Sequence, residues 1–239
     1  NYNKKNISDN TFYSRDPRDI KLEGAYQFGE HYKLRFNIKR EKPLELINPD
    51  NSGLFKYEGF DYFLLLDYQP VTDSVLGITI NGFALDKSRI ETAQDKQQAT
   101  DYISVDAYWV QGMGRQYELR FGTQYDLLTN DVRDFITMNN NLDYLIKTLQ
   151  VYATAYHRTS EHMAWVFGLY VGDVEEKQNF LNDNSRNTLN DGIEAKFRTG
   201  LEYSSSDGRS SLQFNISLNV DDLFSDPTDG GGISFQSVF

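Results

Sequence analysis

Apolar and polar residues alternate one by one along most of this chain. In residues 20–28 and 32–39, for example, apolar side chains occupy every second position and charged or amide side chains mostly lie between them. A β-strand points successive side chains to opposite faces, so this period of two predicts strands with one apolar and one polar face. Helical periodicity is absent, apart from a single predicted helical turn at 127–136 within a loop.

The alternation occurs in eleven separate runs, which we interpret as strands. The runs are 20–28, 32–39, 60–68, 76–80, 103–109, 117–125, 144–156, 165–171, 193–202, 212–220 and 233–239. Short connections alternate with long ones that are rich in Asn, Asp and Gln. The long connections are 40–58, 86–100, 127–141 and 175–190. Short turns on one side and long loops on the other are typical of an up-and-down barrel in an outer membrane.

Composition excludes several classes of function. The chain has 239 residues, no cysteine and a net charge of −11. Without cysteine it has no disulfide framework, no thiolate metal site and no cysteine nucleophile. The acidity argues against a nucleic-acid partner, because phosphate binding needs clustered basic charge. The length suits one barrel domain over residues 1–239.

Alternation alone does not separate a membrane barrel from a soluble sandwich, since only the surroundings of the apolar face differ. Three features favour the membrane. The strands are expected to be about 9–12 residues long, which suits a tilted bilayer crossing. Their polar faces carry many charges, and their apolar faces often end in aromatic residues. The chain also ends in Phe239, with Phe235 and Ile233 at alternate positions before it.

These features resemble those of bacterial, Gram-negative outer-membrane β-barrel proteins, whose last strand commonly ends in Phe. Ser237 departs from the pattern, because an apolar residue is commoner there. The resemblance implies an all-β, antiparallel up-and-down transmembrane barrel in the bacterial outer membrane. It also implies contact with outer-membrane lipid and lipopolysaccharide, and recognition of Phe239 by the barrel-insertion machinery.

The resemblance bears on the number of strands as well. In this class the last strand ends on the periplasmic side, and single-chain bacterial barrels have even strand numbers. Counting back from Phe239 places residues 1–18 outside the membrane, where they show no alternation. We therefore expect a barrel of about 12 strands, of which about 11 are visible here. At least one strand or a domain is expected to precede Asn1 in the native protein.

Charged residues of both signs lie on the polar face of the predicted strands. The candidate pore-lining residues are Lys21, Lys33, Arg35, Lys39, Asp61, Asp106, Glu118, Arg120, Glu194, Lys196 and Arg198. They fit a channel whose basic residues select anionic or sugar-like solutes, because rings of charged side chains determine which solutes a pore passes. They also fit charge pairs that fill a narrow barrel, or a lumen site for a plug or partner. The residues expected to stack sugars are Tyr108, Tyr144, Tyr152 and Tyr170.

No residue set points to catalysis, to a cofactor or to a metal. His31, His157 and His162 fall at or next to short turns, on the predicted periplasmic side. The resemblance implies that outer-membrane hydrolases act at the outer leaflet or the outside surface, so the positions of the histidines argue against catalysis. Ser160 lies between two of these histidines but in no recognisable nucleophile motif. The acidic segment 221–229 could hold Ca²⁺ through carboxylates but lacks the EF-hand spacing.

We therefore predict a non-enzymatic outer-membrane channel, or porin, for a polar or anionic solute, saccharides included. The first alternative is an export barrel for a polysaccharide or a protein, as part of a longer chain. The second is an outer-membrane enzyme, which the positions of the histidines disfavour. The third is a soluble β-sandwich or lipocalin-like binder, which would stay in solution without detergent.

Overall fold

One antiparallel sheet holds every strand of the computed structural model. The structure describes residues 5–6, 12–15, 20–47, 53–91, 94–134, 141–181, 185–204, 210–220 and 228–237. Side chains are described at 20–40, 58–86, 97–133, 141–181, 185–203, 212 and 214–220. None of the described residues belongs to a helix that is long and apolar enough to span a membrane.

Within the described residues, thirteen strands follow one another. They are β1 (Lys5–Asn6), β2 (Phe12–Arg15), β3 (Ile20–Phe28), β4 (Tyr32–Ile47), β5 (Gly53–Val71), β6 (Ser74–Glu91), β7 (Gln94–Met113), β8 (Tyr117–Asp134), β9 (Leu142–Arg158), β10 (Met163–Phe180), β11 (Ser185–Ser204), β12 (Ser210–Asn219) and β13 (Thr228–Ser237). From β3 to β13 each strand pairs antiparallel with the next. These eleven strands follow the order of the eleven predicted runs, so the up-and-down all-β prediction is confirmed.

The first edge of the sheet is an interrupted strand. β2 and β3 both pair with β4, where Arg15 faces Leu44 and Ile20 faces Arg40. β1 pairs with β2, so strand pairing occurs within 1–18, where none was expected. Within the part of the chain that the structure describes, no pairing joins β13 to the first strands. The sheet therefore presents two edges.

The strands are longer than the alternation predicts. β4 to β11 each contain 16–20 residues. The four long connections are therefore largely strand, and only residues 92–93 separate β6 from β7. The helical turn predicted at 127–136 is also wrong, because β8 continues to Asp134.

The extensions of β10 and β11 were missed because polar residues occupy both of their faces. Crossing the hydrocarbon layer takes about 9–11 tilted residues, so roughly eight residues of each long strand, or about 25 Å, extend beyond it. Beyond the hydrocarbon layer both faces of a strand meet water, so its sequence does not have to alternate between apolar and polar residues. Side chains support the pairing instead: Gln98 Nε2 and Thr100 Oγ1 donate to Asn130 Oδ1 at 2.9 and 3.1 Å.

Apolar side chains on one face of the sheet are left uncovered. Val151 and Ile193 are 60% and 75% exposed, respectively. Among the described side chains, Tyr152 is the one large aromatic or apolar group that is buried. A soluble sandwich would bury such residues between two layers, whereas the described strands form a single layer. The apolar face therefore needs an apolar surrounding such as lipid.

Aromatic residues gather on the apolar face near the short turns. The rings of Tyr32 and Tyr68 stack with centroids 4.8 Å apart. Trp109 stacks on Phe121 at 5.8 Å. Amphipathic rings of this kind form the belts at the surface of a bilayer. The arrangement agrees with the aromatic belt that the sequence predicts.

Replacing Val151 with lysine should reduce the free energy of unfolding in lipid by about 2–4 kcal/mol, because a charge would enter the hydrocarbon layer. Thr148→Lys is the control, since Thr148 lies on the polar face of the same strand and should cost no more than about 0.5 kcal/mol. Urea unfolding of both variants in lipid vesicles measures the difference. Equal losses would contradict the assignment of the apolar face to lipid.

Candidate functional site

The predicted pore-lining residues share the polar face of the sheet. Directly opposed residues of neighbouring strands point to the same face. In one such row Lys21 faces Lys39, which faces Asp61. The pairing register carries the same face through to Arg198 on β11. That these residues line a pore stays a prediction.

The structure brings only some of these residues into contact. The Arg120 guanidinium lies 2.5 Å from the Asp106 carboxylate, and Lys196 Nζ lies 3.0 Å from Glu194. Glu118 pairs with Arg158 at 3.6 Å. The predicted basic residues of β3 and β4 lie on strands far across the sheet from those of β11. A shared basic wall would require closure of the barrel, so it stays a prediction.

Arginine and tyrosine side chains form a continuous row across the polar face of five neighbouring strands. We call this row the Arg–Tyr ladder. Its members are Tyr108 on β7, Arg120 on β8, Tyr152 on β9, Tyr170 on β10 and Arg198 on β11. The row combines three cation–π contacts with one pair of stacked rings, and both kinds of contact are attractive.

The spacing along the Arg–Tyr ladder is that of direct contact. Arg120 Cζ lies 4.0 Å from the ring centroid of Tyr108 and 5.7 Å from that of Tyr152. The rings of Tyr152 and Tyr170 stack at 5.7 Å. Arg198 Cζ lies 4.7 Å from the centroid of Tyr170. Each ring is therefore held in place by its neighbours.

Two carboxylates anchor the ladder. Asp106 accepts hydrogen bonds from Arg120 Nη2 at 2.5 Å and from the Tyr152 hydroxyl at 2.7 Å. Arg120 Nε donates to the Tyr152 hydroxyl at 3.0 Å, which closes a three-residue network. At the other end, the Tyr108 hydroxyl donates to Asp67 on β5 at 2.5 Å. Charge-assisted hydrogen bonds of this kind are stronger than neutral ones.

Glycines provide the space that the rings occupy. A Cβ at Gly122 would overlap the Tyr152 hydroxyl and lie 2.8 Å from the Ala107 carbonyl oxygen. A Cβ at Gly77 would overlap the ring of Tyr108 and lie 2.6 Å from Asp67 Oδ1. Glycine inside a strand often marks such close approaches. The ring of Tyr108 can therefore reach across β6 to β5.

A polar cleft of about 390 Å³ opens beside the Arg–Tyr ladder. Besides ladder residues, its lining includes Gln124, Asp126 and Gln150. Gln150 Nε2 donates to Gln124 Oε1 at 3.1 Å, and Gln124 Nε2 donates to Asp126 Oδ1 at 3.0 Å. The sequence did not single out these three residues. Their polar positions in the alternation give the correct face, but only the strand register brings them together.

A larger hollow of about 580 Å³ lies mainly on the other face. Its lining includes Leu66, Leu76, Trp109 and Phe121, all of which belong to the apolar face. An apolar hollow without convergent polar groups cannot orient a polar solute. We therefore assign it to the lipid-facing surface and take the polar cleft as the candidate site.

The four predicted sugar-stacking tyrosines have other partners. Tyr170 has Tyr152 on one side and Arg198 on the other, so a sugar would meet the edge of its ring. Tyr144 starts the run 144–156, opposite Gln178 in the polar extension of β10, and its hydroxyl donates to Glu176. This hydrogen bond raises the pKa of Tyr144 to about 12. The structure therefore does not support sugar stacking at Tyr152 and Tyr170.

The histidines lie at the short turns, as predicted, and their contacts are structural. His31 Nδ1 lies 2.8 Å from the carbonyl oxygen of Gln69 in the next turn. His157 stacks on Tyr117 with ring centroids 4.6 Å apart. Ser160 Oγ accepts hydrogen bonds from the backbone N–H groups of His162 and Met163, which stabilise the turn.

Two sequence predictions concern residues beyond the described part of the chain. The side chains of the acidic segment 221–229 lie outside the described residues, as does Phe239. Among the side chains that are described, no group of three or more His, Asp or Glu residues could hold a metal ion.

A single antiparallel up-and-down sheet with an uncovered apolar face, an aromatic belt and a polar face is the architecture of an outer-membrane β-barrel wall. Among solved structures, the chain is similar to the alcaligin outer membrane receptor FauA from Bordetella pertussis. The TM-score is 0.59 and the sequence identity 12%, over 95% of this chain and 47% of FauA.

The chain is also similar to the ferric citrate transporter FecA in its unliganded form. The TM-score is 0.56 and the identity 12%, over 87% of this chain and 36% of FecA. The chain thus spans less than half the length of either protein. No protein-family model matches the sequence, and no curated protein matches it. At this identity the likeness shows the fold alone.

Replacing Gly122 with valine should lower the free energy of unfolding by about 1–3 kcal/mol, because the added side chain would displace Tyr152. Gly192→Ala is the matched control on the same face, since a Cβ at Gly192 meets nothing within 4 Å. It should be neutral or slightly stabilising. Urea unfolding in lipid vesicles measures both variants, and equal destabilisation would count against the packing described for Gly122.

A double-mutant cycle should detect the coupling between Asp106 and Arg120. Combining Asp106→Asn with Arg120→Gln should give an interaction energy of about 1–3 kcal/mol. The exposed pair Arg40–Glu58, also at 2.5 Å, is the control and should give no more than about 1 kcal/mol. Unfolding free energies of the single and double variants provide both values. A smaller coupling for the Asp106 pair would contradict its role as an anchor.

Proposed function

We propose that this chain forms part of the wall of an outer-membrane transport barrel, with its polar face along the path of a polar, anionic solute. One observation carries the proposal: a single-layer sheet combines an uncovered apolar face with a polar face that holds a connected hydrogen-bond network. An outer-membrane barrel alternates lipid-facing and lumen-facing residues in this way. Saccharides that carry an acidic group belong to the proposed solute class.

The likeness to FauA and FecA supports a role in transport. One is an outer membrane receptor for alcaligin and the other a transporter for ferric citrate. The present chain shares their fold at 12% identity, so the likeness does not specify a solute. A transport role also fits the histidine contacts, none of which forms a catalytic arrangement within the described residues.

The charges on the polar face favour an anion. Lys33 and Arg35 form no ion pair within the described residues, although Asp67 lies opposite Lys33. Asp67 instead accepts the hydrogen bond from Tyr108. Unpaired cations that face a water-filled path raise the local concentration of anions and favour their passage.

Planar-bilayer recordings of the full-length protein test this function. We expect steady conductance with a preference for Cl⁻ over K⁺, seen as a shifted reversal potential in a KCl gradient. Replacing both Lys33 and Arg35 with glutamine should lower that preference, because two path-facing charges are lost. Arg115→Gln, at an exposed short turn, is the matched control and should leave the preference unchanged.

Two results would contradict this function. A preference for cations would reject the anionic solute class. Insertion into the bilayer without conductance would reject an open path and favour a plugged lumen, an export barrel or an enzyme instead.

A further inference from the structure

Arg198 is the exposed end of the Arg–Tyr ladder, and its charge is not neutralised. The other two cations near the cleft, Arg120 and Lys196, lie 2.5 and 3.0 Å from carboxylates. Arg198 forms no ion pair with any described side chain, and its guanidinium lies over the ring of Tyr170. In the strand register its direct neighbours are the uncharged residues Gly168 and Ser217.

The ladder holds the Arg198 guanidinium in a defined place. Tyr170, on which it lies, stacks on Tyr152, and the Tyr152 hydroxyl is held by Asp106. A guanidinium that rests on a ring through its face keeps its N–H donors free at the edge. A carboxylate or phosphate binds such an edge with two parallel hydrogen bonds. Little rotamer freedom would then be lost on binding.

The cleft next to Arg198 offers room and polar partners for the rest of a small solute. Its volume of about 390 Å³ lies within the usual range for small-molecule sites. Gln124 and Gln150 line it and hydrogen-bond to each other at 3.1 Å. Amide side chains both donate and accept, so they can bind hydroxyl groups on a neighbouring part of the solute.

We propose that Arg198 and the adjoining cleft bind the oxyanion of a small polyhydroxylated solute, with Arg198 paired to its carboxylate or phosphate. Gln124 and Gln150 bind its hydroxyl groups. This inference rests on the proposed function, since it assigns one binding step to the same polar face. Because Arg198 is exposed, the binding is weak enough for release, as transport along a wall requires.

Equilibrium binding to the full-length protein in detergent micelles tests the site. The probes are gluconate and inorganic phosphate, with glucose as the neutral counterpart of gluconate. We expect both anions to bind and glucose to bind far more weakly. Arg198→Gln should weaken binding of the anions by about tenfold or more, and Arg198→Lys should have an intermediate effect because lysine cannot bind an oxyanion in a fork.

Arg186→Gln is the matched control, since it removes the same charge from the same strand outside the cleft. It should bind gluconate as the unaltered protein does. A similar loss in both variants would show an effect of net charge alone and would overturn the proposal. Unchanged anion binding in Arg198→Gln would also overturn the proposal. The same holds if the unaltered protein binds neither gluconate nor phosphate. Circular dichroism of each variant checks that the sheet is intact.

Conductance measured on the same samples separates this site from the proposed function. An anion-preferring channel whose gluconate binding does not depend on Arg198 would keep the function and reject the site. A protein that binds gluconate through Arg198 but does not conduct would keep the site and reject the open path. The unaltered protein could bind phosphate through Arg198 and yet bind no gluconate. That result would reject the polyhydroxylated part of the proposed solute.

Discussion

Backbone hydrogen bonding is the constraint on which the rest of this structure depends. In a hydrocarbon layer no water can pair an exposed N–H or C=O group, so strands must pair with each other. The chain meets this demand because each strand from β3 to β13 pairs antiparallel with the next. Once the pairing is fixed, side chains can only alternate between two faces. The uncovered apolar face and the polar face are both consequences of this.

The polar face shows how charged groups are accommodated in such a wall. Asp106 neutralises Arg120 and orients Tyr152, while Gly122 leaves the space in which that ring lies. A partly buried charge is expensive unless it is paired and hydrogen-bonded. The network therefore fixes the Arg–Tyr ladder along most of its length and leaves Arg198 as the member with an unmatched charge.

The sequence predicts most of the fold, because one physical cause produces both the pattern and the strands. The alternation of 20–28 indicates β3 in full. The end of β10, residues 175–180, was predicted as loop because its sequence is polar on both faces and carries no period of two. The ladder was not predicted for a different reason. Tyr152 and Gly122 are distant in the sequence, and only the strand register shows that they are neighbours.

The long strand extensions determine what an approaching molecule meets on their side of the membrane. β6 and β7 stay paired from Ser74 and Gln111 out to Glu91 and Gln94. Their outer part is thus a hydrogen-bonded hairpin rather than a loose loop. A recognition molecule, such as an antibody or a phage fibre, would meet two paired strands at once. Antibodies raised against linear peptides from this region would recognise the folded protein poorly, because its antigenic surface is conformational.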